Sequence, residues 1–448
     1  MLDTYGIPAI QAFQTCIRQK SEKKRFFAER FPRSCVCPNE NGAEKSNKTT
    51  IKESKMRKIF FLSLWLLCGM AAMAKEIKPD TITWLYYPSR DDTTYYARQI
   101  AAWQKRVDAN NKDEWAWRNL VLAYKSYNYK KNIYEFNQWD GPLTLILRKM
   151  EEAIPNTFTF ELCCLYAHTC ARFHGNVTKA IELMPEDIYA PDLYLLIDRY
   201  INLPEYSETT LRALLGKAYL RNTFSMHEYQ YCRNLLQSVE PNGILFTSGS
   251  FDIAALIQQE VFGMRKDVTL IPILPLLNSQ QNRDTVYKRL GIEPFRGRKP
   301  SDKDYNFQLI HHIIAKSKRS AYFETYIEHN HDVCGDSLYN EGLLLKYSNH
   351  PYNNYAVALH NVRSVYYLDY LTEPVLTHEP WHYGYDYDSE YVFRLSYLVK
   401  KFELNGEQEQ ADRLYNILYK SIQLNTSNRY RPKAFKKLEE STGRKSKK

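Results

Sequence analysis

Three stretches place serine, histidine and carboxylate side chains at spacings that could do chemistry. The first, His378-Glu379-Pro380-Trp381-His382, is a formal H-E-x-x-H. On a helix that spacing sets two imidazoles on one face around a zinc ion, with the glutamate as general base. Pro380 lies inside the five residues, lacks the amide a helix needs and forces Glu379 out of helical geometry. An aromatic, polar loop through residues 383–388, entering a helix at Glu390, is therefore expected, and His378, Glu379 and His382 are disfavoured as metal ligands.

The second stretch is Ser248-Gly249-Ser250-Phe251-Asp252, between an apolar run at 244–247 and a helical pattern at 251–262. A turn between a strand's C-terminal end and a helix N-terminus is where α/β sheets hold ligands. Ser248, Ser250 and Asp252 could there bind an anion or a sugar hydroxyl. The plainer role is capping of the following helix by Ser250 or Asp252. The turn lacks both phosphate-loop glycine patterns, so nucleotide binding is not indicated. The third set is histidine-rich. His311 and His312 are neighbours on a helix and point in different directions, while His329, His331, Asp332 and Cys334 share a polar loop. No cofactor is called for.

Three kinds of segment must position these groups. Residues 93–239 are helical in period. Trp117, Leu120, Val121 and Tyr124 fall at i, i+3, i+4 and i+7, and W-x-x-L-x-x-x-Y resembles the first helix of a tetratricopeptide repeat. Pro185 stops a helix that ends in 179–184. Further helices are expected at 193–201, 211–220 and 229–239, the last opened by a capping box of Ser225 and Glu228. The 34-residue period is not kept. Either tetratricopeptide-like hairpins or an irregular helical domain satisfies the pattern.

Pro241-Asn242-Gly243 then breaks the chain. A strand at 244–247, a helix at 251–262 ended by Gly263, and a β-branched strand at 268–274 form a strand–helix–strand unit of right-handed crossover. Helices at 287–290 and 307–314 and strands at 321–326 and 343–347 complete it. The expectation is a predominantly α protein in which an α/β module of about four mostly parallel strands, residues 240–348, is flanked by tetratricopeptide-like hairpins. The helical part is 75–239. The C-terminal part, 349–448, is a hairpin of two helices broken at Asn405-Gly406, then a basic tail. Tyr391, Leu395, Leu398 and Phe402 mark the apolar face of its first helix, and Ala411, Leu414, Leu418 and Ile422 that of its second.

Residues 56–74, MRKIFFLSLWLLCGMAAMA, have the basic start, short apolar run and A-x-A ending of a secretory signal peptide, with cleavage after Ala74. The alternative is an uncleaved inner-membrane anchor through residues 58–74. Residues 1–55 read as a non-native or disordered extension ahead of Met56, or else as a cytosolic tail before that anchor. Of the cysteines beyond the signal, Cys163, Cys164 and Cys170 lie on one apolar helical segment and read as buried thiols; Cys232 and Cys334 complete an odd number, which full intramolecular pairing forbids.

The chain has 448 residues, 44% hydrophobic, and a net charge of +10. Most of that excess sits in the first 74 residues. The near-neutral remainder gives no electrostatic case for nucleic acid.

Gln259-Glu260-Val261-Phe262-Gly263-Met264-Arg265-Lys266-Asp267-Val268, with Tyr322-Phe323 and Gly342-Leu343, resembles the soluble C-terminal domain of bacterial multi-spanning membrane proteins related to protein O-mannosyltransferases. The likeness spans about 240–348. That family's turn is acidic and amide-rich. Here Ser250 and Phe251 stand in those places and only Asp252 matches, and the multi-spanning part has no counterpart. The resemblance implies a fold and an envelope setting, not an activity. Asp80-Thr81-Ile82, Asp284-Thr285-Val286 and Asp336-Ser337-Leu338 are similar to the Asp-Ser/Thr-apolar triplets at which some bacteria attach O-glycans to exported proteins, and Asp92-Thr93-Thr94 is a looser match.

Together these readings give an exported, periplasmic or envelope-associated interaction or scaffold protein, non-catalytic, whose hairpins take an envelope protein or peptide. The alternative is an envelope enzyme or glycan-binding protein that uses the 248–252 turn.

Overall fold

The computed structural model describes residues 79–83, 92–131, 141–167, 176–203, 206–247, 251–297, 304–324, 337–374, 387–426 and 430–444. They belong to one compact unit, Ile77–Lys448. It is predominantly helical around a small mixed sheet.

Among the described residues, eight helices lead to the first strand: α1 (Thr93–Ala109), α2 (Glu114–Lys130), α3 (Pro142–Ala153), α4 (Phe158–Tyr166), α5 (Val177–Glu182), α6 (Ala190–Ile201), α7 (Glu208–Leu220) and α8 (Met226–Ser238). Side-chain caps set many of their starts. Asp92 accepts from the Thr94 amide at 2.8 Å, and Asp113 from the Ala116 amide at 3.0 Å. The capping box expected at α8 is present. Ser225 Oγ accepts from the Glu228 amide at 3.2 Å, and the Glu228 carboxylate takes the Ser225 amide. Ser225→Ala is expected to lower the unfolding free energy by about 1 kcal/mol, read as a shift in urea midpoint.

The sheet holds β1 (Ile244–Thr247), β2 (Thr269–Pro272), β3 (Ala321–Glu324), β4 (Leu338–Asn340) and β5 (Leu344–Tyr347), in the order β2-β1-β3-β5-β4. β1 runs parallel to β2 and β3, whereas β5 pairs antiparallel with both β3 and β4. The expectation of about four mostly parallel strands is thus corrected to five in a mixed sheet. Gly342, at φ 109°, turns the β4–β5 hairpin and reverses the chain direction. The run at 268–274 also splits: its end, with Pro275, becomes the short helix α10 (Ile273–Asn278).

Alternate residues of each strand enter different cores. Leu245, Leu270, Tyr322 and Leu344 join a large core with α9 (Phe251–Glu260), which supplies Ile253, Ala254 and Ile257. Ile244, Phe246, Ile271 and Phe323 join a smaller core. It is closed by α10, α11 (Gln280–Leu290) and α12 (Tyr305–Ser317). The Phe246 and Phe323 rings stack there at 4.7 Å. The β1–β2 crossover through α9 and the β2–β3 crossover through α10–α12 run in opposite directions along the sheet, so crossovers of one hand lie on opposite faces, which is how the two groups are arranged. β1 is therefore the switch point of the sheet.

The large core continues from Ile82 through the helices to Leu438. After α13 (Asn354–His360) come α14 (Tyr387–Leu404) and α15 (Gln408–Leu424), with the expected buried faces and Gly406 at φ 77° between them. A third helix, α16 (Arg431–Thr442), packs against both, so the expected hairpin is corrected to a three-helix unit that α13 precedes. Pro432 sits in its first turn, where the missing amide costs nothing.

Candidate functional site

The C-terminal ends of β1 and β3 bring together polar groups that the core buries. Thr247 ends β1, and the parallel register places Glu324 beside it at the end of β3. Both are buried, Glu324 completely. Asp252, in the first turn of α9, is buried as well, and its Oδ1 accepts the Thr247 hydroxyl. Burial pushes the Asp252 carboxyl up to about 7; the Thr247 hydrogen bond opposes this and the charge of Asp198 adds to it. Such a carboxyl exchanges its proton near neutral pH, the property a general acid or base requires. Ser248 and Ser250 lie outside the described residues, so of the three turn residues read from sequence the structure places Asp252.

α8 packs against α9 and carries two further polar sets. On one face Cys232 feels the charges of Glu228, Glu324 and Asp252. Burial, then those carboxylates, hold its thiol well above the ordinary range, so it stays protonated and unreactive. On another face His227 Nδ1 sits 3.0 and 2.9 Å from the two carboxylate oxygens of Asp388, at the start of α14. Both residues are buried. With Nδ1 donating to the carboxylate, the ring is held in the orientation of a general-base histidine. The ring meets the Tyr370 ring edge-on at 4.7 Å. Tyr370 donates to the Tyr391 hydroxyl at 2.9 Å, and Asn234 donates to the same oxygen at 2.8 Å.

His227, Asp388 and Glu324 were not singled out from sequence. His227 hides inside a capping box, and Asp388 falls where an aromatic loop was expected but α14 has already begun. The H-E-x-x-H residues His378, Glu379 and His382, and the His329–Cys334 group, lie outside the described residues. His311 and His312 do point apart: His311 Nδ1 is 3.3 Å from the Tyr347 hydroxyl, and His312 Nε2 is 2.7 Å from the Glu293 carbonyl. Among the described residues, no cluster of His, Cys, Asp or Glu has the arrangement to hold a metal ion.

A second polar site lies in the α1–α2 hairpin, where side chains grip the main chain of residues 79–83 at alternate residues. Gln99 Oε1 accepts the Asp80 amide at 2.8 Å, and Trp103 Nε1 donates to the Asp80 carbonyl at 3.0 Å. Two residues on, Asn119 Oδ1 accepts the Ile82 amide at 2.7 Å, and Arg118 Nη1 donates to the Ile82 carbonyl at 3.0 Å. Ile82 is buried, whereas Asp80 and Thr81 are exposed. Arg118 is itself fixed. Its Nε lies 2.7 Å from Asp192 on α6, a second guanidinium nitrogen bonds the same carboxylate, and Tyr166 donates to Asp192 at 2.8 Å. The Trp115 and Tyr189 rings flank the guanidinium at 4.9 and 5.0 Å.

No family model, curated protein or solved structure matches this chain. Among the described residues, no helix is long and apolar enough to cross a membrane.

Proposed function

We propose that the chain is an exported cell-envelope interaction protein, non-catalytic, whose tetratricopeptide-like hairpins hold an extended peptide of a partner. One observation carries this reading: the α1–α2 hairpin binds an extended backbone through four side chains that address N–H and C=O groups at alternate residues. That is the edge pattern of a strand, and a site of this kind tolerates many sequences because it addresses the main chain. The signal-peptide pattern at 56–74 and the family resemblance of 240–348 support the envelope setting. Because Asn119 also holds residues 79–83, the test is capture from native envelope fractions with the tagged Ile82→Asp chain, which unseats that segment, and with the same chain carrying Asn119→Ala as well. A partner held by the first should be retained about tenfold less by the second, the loss of one buried hydrogen bond. A partner held equally by both ends the reading.

The polar groups at the strand ends favour a second reading, an enzyme or glycan-binding protein acting at Asp252. Its support is a protonatable carboxyl at the switch point of an α/β sheet, with the His227–Asp388 pair joining α14 to α8, the helix that packs on α9.

A further inference from the structure

We propose that residues 79–83 are a built-in competitor for the hairpin groove. The partner is then an extended peptide that sets a β-branched aliphatic side chain where Ile82 now lies. This rests on the peptide-binding reading and adds the ligand's chemistry and its control.

The polar side chains of the groove are held by partners other than the segment they grip. Arg118 is locked by Asp192 and Tyr166, and Asn119 Nδ2 donates to the Trp115 carbonyl at 2.8 Å. Such preorganisation lowers the ordering cost of whatever enters. Selectivity comes from one apolar position and its neighbour. Ile82 is sunk into the large core, and Thr83 Oγ1 meets the Tyr189 hydroxyl at 3.3 Å. The exposed side chains of Asp80 and Thr81 add little to the choice.

Four hydrogen bonds and one isoleucine make a modest hold, one that a longer peptide of the same pattern can exceed. A second copy of the chain cannot: its own segment offers the same contacts and meets a groove already filled in cis, at a far higher effective concentration. The occupant in trans is therefore a segment of a different protein, and its apparent affinity is reduced by the fraction of grooves that are empty.

The experiment uses the full chain and a fluorescent peptide, Lys-Pro-Asp-Thr-Ile-Thr, as probe. Ile82→Asp should unseat the segment by forcing a carboxylate against the core. Anisotropy is expected to show that variant binding the peptide at least about tenfold more tightly than the wild type. Equal binding to both, or none to a variant that still melts cooperatively, overturns the proposal. If the variant does not fold, exchange of the Ile82 amide in the wild type decides. Excess peptide should speed it at least about tenfold, and an unchanged rate overturns the proposal. A wild-type dimer that Ile82→Asp dissociates would put a second copy in the groove and also overturn it. If the peptide fails while envelope capture still depends on Asn119, the competitor falls and the peptide-binding reading stands; if capture is also indifferent to Asn119, both fall.

Discussion

Asp192→Ala is expected to lower the unfolding free energy by about 3–5 kcal/mol, because it strands the Arg118 guanidinium in the core. Arg118 and Asp192 are almost fully buried. Burial works against the guanidinium's charge, and the Asp192 carboxylate more than offsets it, holding Arg118 protonated. Removing that carboxylate leaves a charge with no counter-ion and the Tyr166 hydroxyl without its acceptor. The double change Arg118→Met with Asp192→Leu removes both charges and should recover much of the loss, since a well-packed apolar pair can match a buried ion pair. It cannot restore the bond from Arg118 to the Ile82 carbonyl. The double variant should therefore fold well and yet hold residues 79–83 loosely, seen as faster exchange of the Ile82 amide. Equilibrium urea denaturation of the two variants checks the first part. A single variant within about 1 kcal/mol of the wild type would mean that the pair is solvated.

That pair also shows what the sequence could and could not disclose. Helix faces were legible because they repeat locally. Trp117, Leu120 and Val121 are buried as their spacing requires, and so are the stripes of α14 and α15. The central strands were legible as apolar runs, and the break before β1 as Pro241-Asn242-Gly243, where Asn242 takes φ 59°. Strand β4 was not, because Leu338-Tyr339-Asn340 becomes a strand only by pairing with β5. The direction of β5 was equally hidden, since it depends on the turn at Gly342. Of the candidate site, the switch point and Asp252 were readable from the strand–turn–helix pattern. Arg118 meets Asp192 across 74 positions and His227 meets Asp388 across 161, and no local period records such pairs. A usable sign was present in Gln99, Arg118 and Asn119, polar residues on faces that the helical period buries.

Asp252→Asn should make the protein more stable at about pH 8, by roughly 2–4 kcal/mol, and leave it unchanged near pH 4. The sign follows from the direction of the shift. Burial raises the carboxyl from 3.8 to about 7, so the folded chain holds this proton more tightly than the unfolded chain. Between about pH 4 and 7 the unfolded carboxyl is ionised while the folded one is not, and folded stability falls as pH rises. Above about 7 the full cost of a buried carboxylate is present. Asparagine removes the charge and keeps an oxygen to accept the Thr247 hydroxyl, so the wild-type decline should flatten in the variant. Urea denaturation at about pH 4, 6 and 8 measures this. The result also separates the two functional readings. A side chain that weakens its own fold at neutral pH is the mark of a residue kept for chemistry or binding. A variant less stable than the wild type at about pH 8 would instead make Asp252 a structural cap of α9, and the enzyme or glycan reading at the strand ends would lose the carboxyl it is built on.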